Sequence, residues 1–185
     1  LNIQFITEKS ELFPKRLLNI SDRPRALFVR GQGIEFLNGP SAAIIGARVC
    51  SPYGIYTAQK FSRELACCQV NIISGLARGI DSAAHAGALE GEGRTYAVLG
   101  CGADICYPPE NKELYDRIQK TGAVLSEYPP ATKPAAWQFP QRNRIISGLS
   151  DCVVITEAKQ ESGSLITANH ALEKGIDVCA VPGRV

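Results

Sequence analysis

The residues best suited to chemistry lie in one short segment, where Arg142, Asn143 and Arg144 follow a predicted proline turn. Guanidinium and amide groups donate hydrogen bonds, and arginine binds carboxylates and phosphates through two parallel N–H groups. Residues 129–150 contain no carboxylate, so neither arginine has an acidic partner within this segment. The pattern predicts a binding site for an anion that the chain itself does not supply.

The alternative is that both arginines form ordinary ion pairs inside the folded protein. Glu127, Asp151 and Glu157 are the acidic residues near enough in sequence to serve as partners. The choice between the two interpretations depends on which other groups the fold brings to the same place.

Composition limits the class of protein. The chain has 185 residues, 45% hydrophobic and 21% charged, which is typical of one globular domain with a substantial core. Its net charge of +2 is too small to indicate nucleic-acid binding, so that argument depends on local clustering. Seven cysteines without C-x-x-C spacing predict free thiols in a reducing, cytoplasmic compartment, with no metal site. No apolar run is long enough to span a membrane.

Short apolar runs alternate with helical segments along most of the chain. Runs of about five apolar residues, each followed by a helix, predict an α/β fold, with a doubly wound, mostly parallel sheet covered by helices on both faces. We expect residues 1–38 to form a lead-in segment packed on the core, residues 39–185 to form the main domain, and residues 128–140 to form an ordered loop. The predicted strands are 26–30, 41–45, 70–73, 95–99, 123–125, 152–155 and 177–181, and the predicted helices are 53–68, 80–90, 111–120 and 164–174.

Ligands of such sheets bind outside the carboxyl ends of the strands, so the residues that follow each strand are candidates. After the strand 41–45, Arg48 is a candidate phosphate contact and Ser51 a helix cap or a second contact. Neither G-x-G-x-x-G nor a phosphate-binding P-loop is present. After 152–155, Ser162 and Ser164 open a helix whose free N–H groups suit an anion, although capping alone also explains them.

The strand 70–73 is followed by Arg78, which we expect to face the crevice, and by Asp81 and His85. An acid and a histidine four residues apart suggest acid–base chemistry, but a hydrogen bond on the helix surface is the simpler explanation. No paired carboxylates, metal cluster or nucleophile motif accompanies them, so the sequence predicts binding without catalysis and without a cofactor.

Together these groups suit a phosphodiester backbone better than a neutral small molecule. Aromatic residues in the same segments could stack on exposed bases, as single-strand binders require. Those aromatic residues are Tyr53, Tyr107, Trp137 and Phe139.

With these motifs the chain resembles the DprA/Smf family, the DNA-processing proteins of bacterial transformation. The likeness extends over nearly the whole chain. It is carried by residues 13–14, 22–24, 27–28, 46–48, 53–54, 74–81, 107–108 with Asn111, 126–129, 139–146, 162–168 and 181–183.

The resemblance implies an extended Rossmann-like domain that binds single-stranded DNA, protects incoming DNA, forms homodimers and loads the recombinase RecA. Arg48 and the run from Arg142 through Asn143 to Arg144 match the family's arginine-bearing motifs and are the expected phosphate contacts. Arg78, Ser162 and Ser164 are weaker candidates. On this basis Arg144→Glu should abolish DNA binding and leave the fold intact.

Two other functions remain open. The segment from Ser162 to Thr167 is similar to the P-G-G-x-G-T-x-x-E motif of nucleoside monophosphate phosphoribohydrolases, which share this type of sheet. However, no P-G-G precedes it, and His170 stands where the motif has its carboxylate. The third possibility is a scaffold protein that has no affinity for anions.

Overall fold

The computed structural model describes residues 2–159 and 162–183. Within these ranges eight strands form one sheet in the order β1-β2-β6-β5-β4-β3-β7-β8. The six strands from β6 to β8 are parallel, and β1 and β2 extend the β6 edge in antiparallel register. The strands are β1 (Gln4–Thr7), β2 (Ala26–Gly31), β3 (Ser41–Gly46), β4 (Asn71–Ser74), β5 (Thr95–Leu99), β6 (Ala123–Ser126), β7 (Cys152–Glu157) and β8 (Asp177–Ala180).

Helices cover both faces of the sheet. They are α1 (Pro52–Cys67), α2 (Ile80–Glu90), α3 (Lys112–Thr121), α4 (Gln138–Gly148) and α5 (Gly163–Leu172). In β3, Ala43 and Ile45 belong to the core cluster that contains Ile145 of α4, whereas Ile44 between them belongs to the cluster that contains Ala58 of α1. Because alternate strand residues point to opposite faces, α4 and α1 lie on opposite sides of the sheet. The prediction of a doubly wound α/β fold is confirmed. In the described ranges, no helix has both the length and the apolar character needed to cross a bilayer.

The lead-in segment is part of the sheet. Its strands β1 and β2 continue the hydrogen-bonded ladder beyond β6, and Phe13 and Leu17 lie in the same core cluster as Ile145. Arg16 forms an ion pair with Asp151 at 2.7 Å, which ties the segment to the start of β7. The predicted boundary at residue 38 therefore falls between two strands of one continuous sheet.

Helix α4 differs from the sequence-based expectation. A proline turn was expected before Arg142, but the structure has a helix that starts at Gln138 and contains Pro140 in its first turn. Proline is tolerated there because the first N–H groups of a helix have no partner within the helix. Arg142 and Arg144 therefore lie on a rigid helix and not in a loop.

The strand order reverses at β3. From β3 the chain adds β4, β5 and β6 on one side, then returns to place β7 and β8 on the other side. The segment after β3 leads to α1 on one face, and the segment after β7 leads to α5 on the other. Connections that leave in opposite directions open a crevice at the carboxyl ends of these two strands, which is where ligands of open α/β sheets bind.

Candidate functional site

A cleft of about 480 Å³ lies at this reversal point. It contains five of the eight predicted site residues, namely Arg48, Arg142, Asn143, Ser162 and Ser164. The other described lining residues are Ile45, Gly46, Ala47, Val49, Ala77, Asp81, Phe139, Pro140, Ile146, Lys159, Gly163 and Thr167. Asp81 is the one acid among them, against the cations Arg48, Arg142 and Lys159, so the charged groups of the described lining have a net positive charge.

Arg142 is fixed at the base of the cleft. It is 5% exposed, and its Nη1 donates to the carbonyl oxygens of Gly75, at 2.8 Å, and of Val98. A Cβ at position 75 would lie 2.6 Å from Arg142 Nη2, so glycine is what allows this close approach. Among the described residues Nη2 has no hydrogen-bond partner. Nη1 is thus engaged by the two carbonyls and Nε by Asn143, which leaves Nη2 as the donor available to the cleft.

Asp81 balances this buried charge in part. Its carboxylate accepts a hydrogen bond from the Gly75 backbone N–H at 3.1 Å. Burial raises the Asp81 pKa, and the nearby Arg142 charge opposes that rise. Burial in turn lowers the pKa of Arg142 to about 10, and Asp81 acts against that change. Arg142 therefore remains cationic at neutral pH.

Arg48 and two aromatic rings form the rim. The exposed Arg48 guanidinium lies 5.7 Å from the centre of the Phe139 ring, and Tyr107 stacks on Phe139 with centroids 5.5 Å apart and planes 29° apart. A second cleft of about 50 Å³ adjoins the first and shares Arg48, Phe139 and Arg142 with it. This arrangement places a stacking surface directly beside two guanidinium groups.

Asn143 connects this wall to the amino end of α5. Its Nδ2 donates to the Gly163 carbonyl at 3.1 Å, and its Oδ1 accepts from Arg142 Nε at 3.3 Å. Ser162 caps α5 by accepting from the Ser164 N–H at 3.4 Å, and the two hydroxyls lie 2.6 Å apart. The capping interpretation of Ser162 is correct, and the same groups also face the cleft.

Arg144 lies outside the described cleft lining. It is 8% exposed and donates to both carboxylate oxygens of Glu127 at 2.8 Å, to Asp22 at 3.0 Å and to the Gln141 carbonyl at 3.1 Å. The interpretation that it lacks an acidic partner within the chain is wrong, because Glu127 and Asp22 supply that charge. Arg144 therefore links α4 to Asp22 and Glu127 and does not contribute to the cleft lining.

Ser51 and Arg78 also depart from the expected arrangement. Ser51 caps α1, accepting from Gly54 N–H at 3.1 Å, but its hydroxyl donates to Glu157 at 2.6 Å, outside the described cleft lining. Arg78 lines the smaller cleft and is already paired with Glu110 on the protein surface. Both residues are thus occupied by internal carboxylates.

Comparison with known proteins assigns the chain to a family. The model of the family described as DNA recombination-mediator protein A matches residues 4–185. The chain belongs to that family. The DNA processing protein DprA of Streptococcus pneumoniae is 45% identical over 175 residues, which is 95% of this chain and 61% of that relative. The chain therefore spans about three fifths of that relative's length.

Two solved structures of family members show the same fold. The X-ray structure of S. pneumoniae DprA covers all of this chain and 64% of its own, with a TM-score of 0.94 and 43% identity. The Helicobacter pylori protein covers all of this chain and 83% of its own, with a TM-score of 0.90 and 32% identity. That structure is described as giving insight into a unique single-stranded DNA binding mode of the H. pylori protein.

His85 lies in the core of the protein and is not among the described residues that line the cleft. It is fully buried, and its Nδ1 lies 2.6 Å from Thr95 Oγ1, which donates its own proton to the Ile72 carbonyl. Nδ1 must therefore carry the hydrogen. The expected surface hydrogen bond between Asp81 and His85 is wrong, because Asp81 instead accepts from Gly75.

This burial predicts a pH effect on stability. Burial lowers the His85 pKa from 6.5 to about 3. Between these values the unfolded chain binds a proton that the folded protein does not, so stability falls as pH falls. We expect His85 to reduce the free energy of unfolding by about 2 kcal/mol between pH 7.5 and pH 5. Urea denaturation of the wild type and of a His85→Asn variant at both pH values measures this change in the free energy of unfolding. Equal pH dependence in the two proteins would contradict the prediction.

Lys159 was not predicted. It lies two residues beyond β7 and lines the cleft. Its position in the segment after a strand could have indicated it, by the same argument that identified Arg48. A lone lysine in a polar segment is, however, typical of any surface loop.

Proposed function

We propose that this domain binds single-stranded DNA without strong sequence preference, through phosphodiester groups in the cleft. The observation that carries the proposal is the convergence of Arg48 and Arg142, each with donors not used by described partners, beside the Tyr107–Phe139 stack. Guanidinium groups bind phosphates bidentately, and aromatic faces stack on any base. The described binding of single-stranded DNA by the H. pylori relative supports the same assignment.

The amino end of α5 supplies a further anion contact in this proposal. The helix has ten residues, and Ser162, Gly163 and Ser164 line the cleft where its first N–H groups are unpaired within the helix. Lys159 adds positive charge at the same end. A backbone passing from Arg48 towards α5 would thus meet donors along the cleft.

The test is fluorescence anisotropy of a labelled single-stranded oligonucleotide across a salt series, with duplex DNA as competitor. We expect single-strand preference, and log K should fall against log salt by about 0.7 per phosphate contacted. Absence of binding at low salt would refute the proposal for this domain.

The wider biological role is also a proposal. Family membership supports protection of incoming DNA and loading of RecA during natural transformation, by a cytoplasmic homodimer. Nuclease digestion of single-stranded DNA with and without the protein tests protection. Sedimentation tests the dimer, and RecA's DNA-dependent ATP hydrolysis tests loading.

The rival proposal is hydrolysis of a nucleoside monophosphate. The cleft volume is within the range of small-molecule sites, so a nucleoside monophosphate would fit in it. Asp81, the acid of the described lining, accepts a hydrogen bond from the Gly75 backbone N–H at 3.1 Å and lies near the buried Arg142 charge, so its carboxylate is already engaged within the protein. We therefore propose binding without catalysis, and release of ribose 5-phosphate from a nucleoside monophosphate would refute it.

The Arg78–Glu110 pair predicts a gain of function. Because Glu110 neutralises Arg78 at the rim of the smaller cleft, Glu110→Gln should release that guanidinium for phosphate. We expect single-stranded DNA affinity to rise about two- to fivefold, the scale of an exposed ion pair. Anisotropy measures the change. An Arg78→Ala, Glu110→Gln double variant should show no gain, and unchanged affinity in the single variant would contradict the prediction.

A further inference from the structure

The amino end of α1 is filled by a carboxylate of the same chain. Both Glu157 carboxylate oxygens lie 3.1 Å from the Ser51 backbone nitrogen, and one accepts from the Ser51 hydroxyl at 2.6 Å. Gly54 makes room for this contact, since a Cβ there would overlap Glu157 Oε2. The side chain of Glu157 thus reaches from the end of β7 across the reversal point to the helix that follows β3.

In many α/β sheets this position binds a phosphate group. The helix after the strand at the reversal point directs its unpaired N–H groups and positive dipole end into the crevice. Here Ser51, the N–H and hydroxyl donor at that end, already serves Glu157. The groups free to bind an anion, Arg48, Arg142 and the start of α5, belong to the cleft beside it.

We propose that Glu157 is a specificity-determining residue that excludes phosphomonoesters, such as free nucleotides, and leaves the crevice to the phosphodiesters of a DNA strand. A monoester carries close to two negative charges at neutral pH, as its second pKa is about 6, whereas each diester carries one. The Glu157 carboxylate therefore repels a monoester more strongly and also occupies the donors it would need. This inference rests on the proposed function, because it concerns selectivity at the same crevice.

The experiment is calorimetric titration of thymidine 5′-monophosphate and of inorganic phosphate into the wild-type protein and a Glu157→Ala variant. The substitution removes the carboxylate but keeps the backbone bond from Ala47 N–H to the Glu157 carbonyl, at 2.7 Å. We expect the variant to bind both ligands about tenfold or more tightly than wild type. Glu113→Ala is the matched control, since Glu113 lies exposed in the first turn of α3 and away from the cleft, and it should bind like wild type.

Two further variants keep the inference testable if Glu157→Ala does not fold. Gly54→Ala should displace the carboxylate without removing it and should also gain monophosphate binding. Glu157→Gln keeps an acceptor oxygen without the charge and should show a smaller gain. Wild-type affinity for the monophosphate in the folded variants, or tight binding by the wild type itself, would overturn the inference.

Oligonucleotide anisotropy on the same proteins separates the two proposals. If wild type binds no single-stranded DNA but the variants gain monophosphate binding, the proposed function fails and the role of Glu157 in excluding monoesters stands. If wild type binds DNA and the variants gain nothing, only the inference about Glu157 fails.

Discussion

Replacing Arg48 by alanine is expected to weaken single-stranded DNA binding by about 10- to 100-fold, since a hydrogen bond to a charged group contributes about 1.5–3 kcal/mol. The salt dependence of log K should also become shallower by about 0.7. Arg48 is exposed, and no described acid pairs with it, so the variant should fold and melt like the wild type. Anisotropy across a salt series and a thermal melt measure the two quantities.

Two matched variants make this result specific. Arg63 is an exposed arginine of α1 that does not belong to the described lining of either cleft. Arg63→Ala should therefore keep wild-type affinity for DNA. Arg48→Lys should retain the salt dependence but lose the planar contact with Phe139. If Arg48→Ala, correctly folded, binds DNA like the wild type, the cleft is not the binding site.

Charge reversal at Arg144 is expected to destabilise the protein and not to act on DNA binding directly. Arg144→Glu would place three carboxylates together, at positions 22, 127 and 144, where the wild type has a largely buried arginine. Asp22 is 85% exposed, so the loss comes chiefly from the partly buried pair of Arg144 with Glu127. Breaking a buried ion pair costs about 3–5 kcal/mol, so we expect a loss of up to about that size, which corresponds to a fall in melting temperature of up to about 10 °C for a domain of this size. Thermal and urea denaturation measure this loss.

The sequence alone led to a different expectation, that Arg144→Glu abolishes DNA binding and leaves the fold intact, and the thermal melt distinguishes the two outcomes. Arg23→Glu is the control, because Arg23 pairs with Glu8 at a more exposed site and its reversal should cost less than about 1 kcal/mol. A double variant, Arg144→Glu with Glu127→Arg, should recover part of the lost stability. A wild-type melting temperature for Arg144→Glu would show that the ion pair contributes nothing.

The parts of the fold that the sequence predicted best are those with strong local signals. The strand 95–99 and the helix 80–90 were predicted with the bounds that the structure gives, because a run of buried apolar residues ends at Gly100 and a helix of small residues ends at Gly91. Strand β1 was missed, since four residues with two exposed give almost no periodicity. Its position depends on pairing with β2, which is a tertiary contact.

The sequence predicted where the site lies, but it did not predict which of its residues form ion pairs within the protein. Arg142 and Asn143 reached the cleft as expected, whereas Arg144 did not. On a helix, two residues apart means a rotation of about 200°, so Arg142 and Arg144 must face nearly opposite directions. That helix was missed in the sequence because Pro140 was interpreted as part of a turn, whereas it lies in the first turn of α4. The pairing of Arg144 with Asp22 joins residues far apart in sequence and required the folded chain.

The carbonyl oxygens that hold Arg142 Nη1 have a thermodynamic consequence. An arginine free on a surface loses up to about 2 kcal/mol of rotamer freedom when a ligand immobilises it. Here Gly75 and Val98 have already immobilised the side chain, so that entropy is lost during folding and not when a strand binds. The cleft is therefore preorganised at Arg142, whereas the exposed Arg48 still loses its freedom on binding. Arg142 should thus contribute more affinity per contact than Arg48, with a smaller unfavourable entropy.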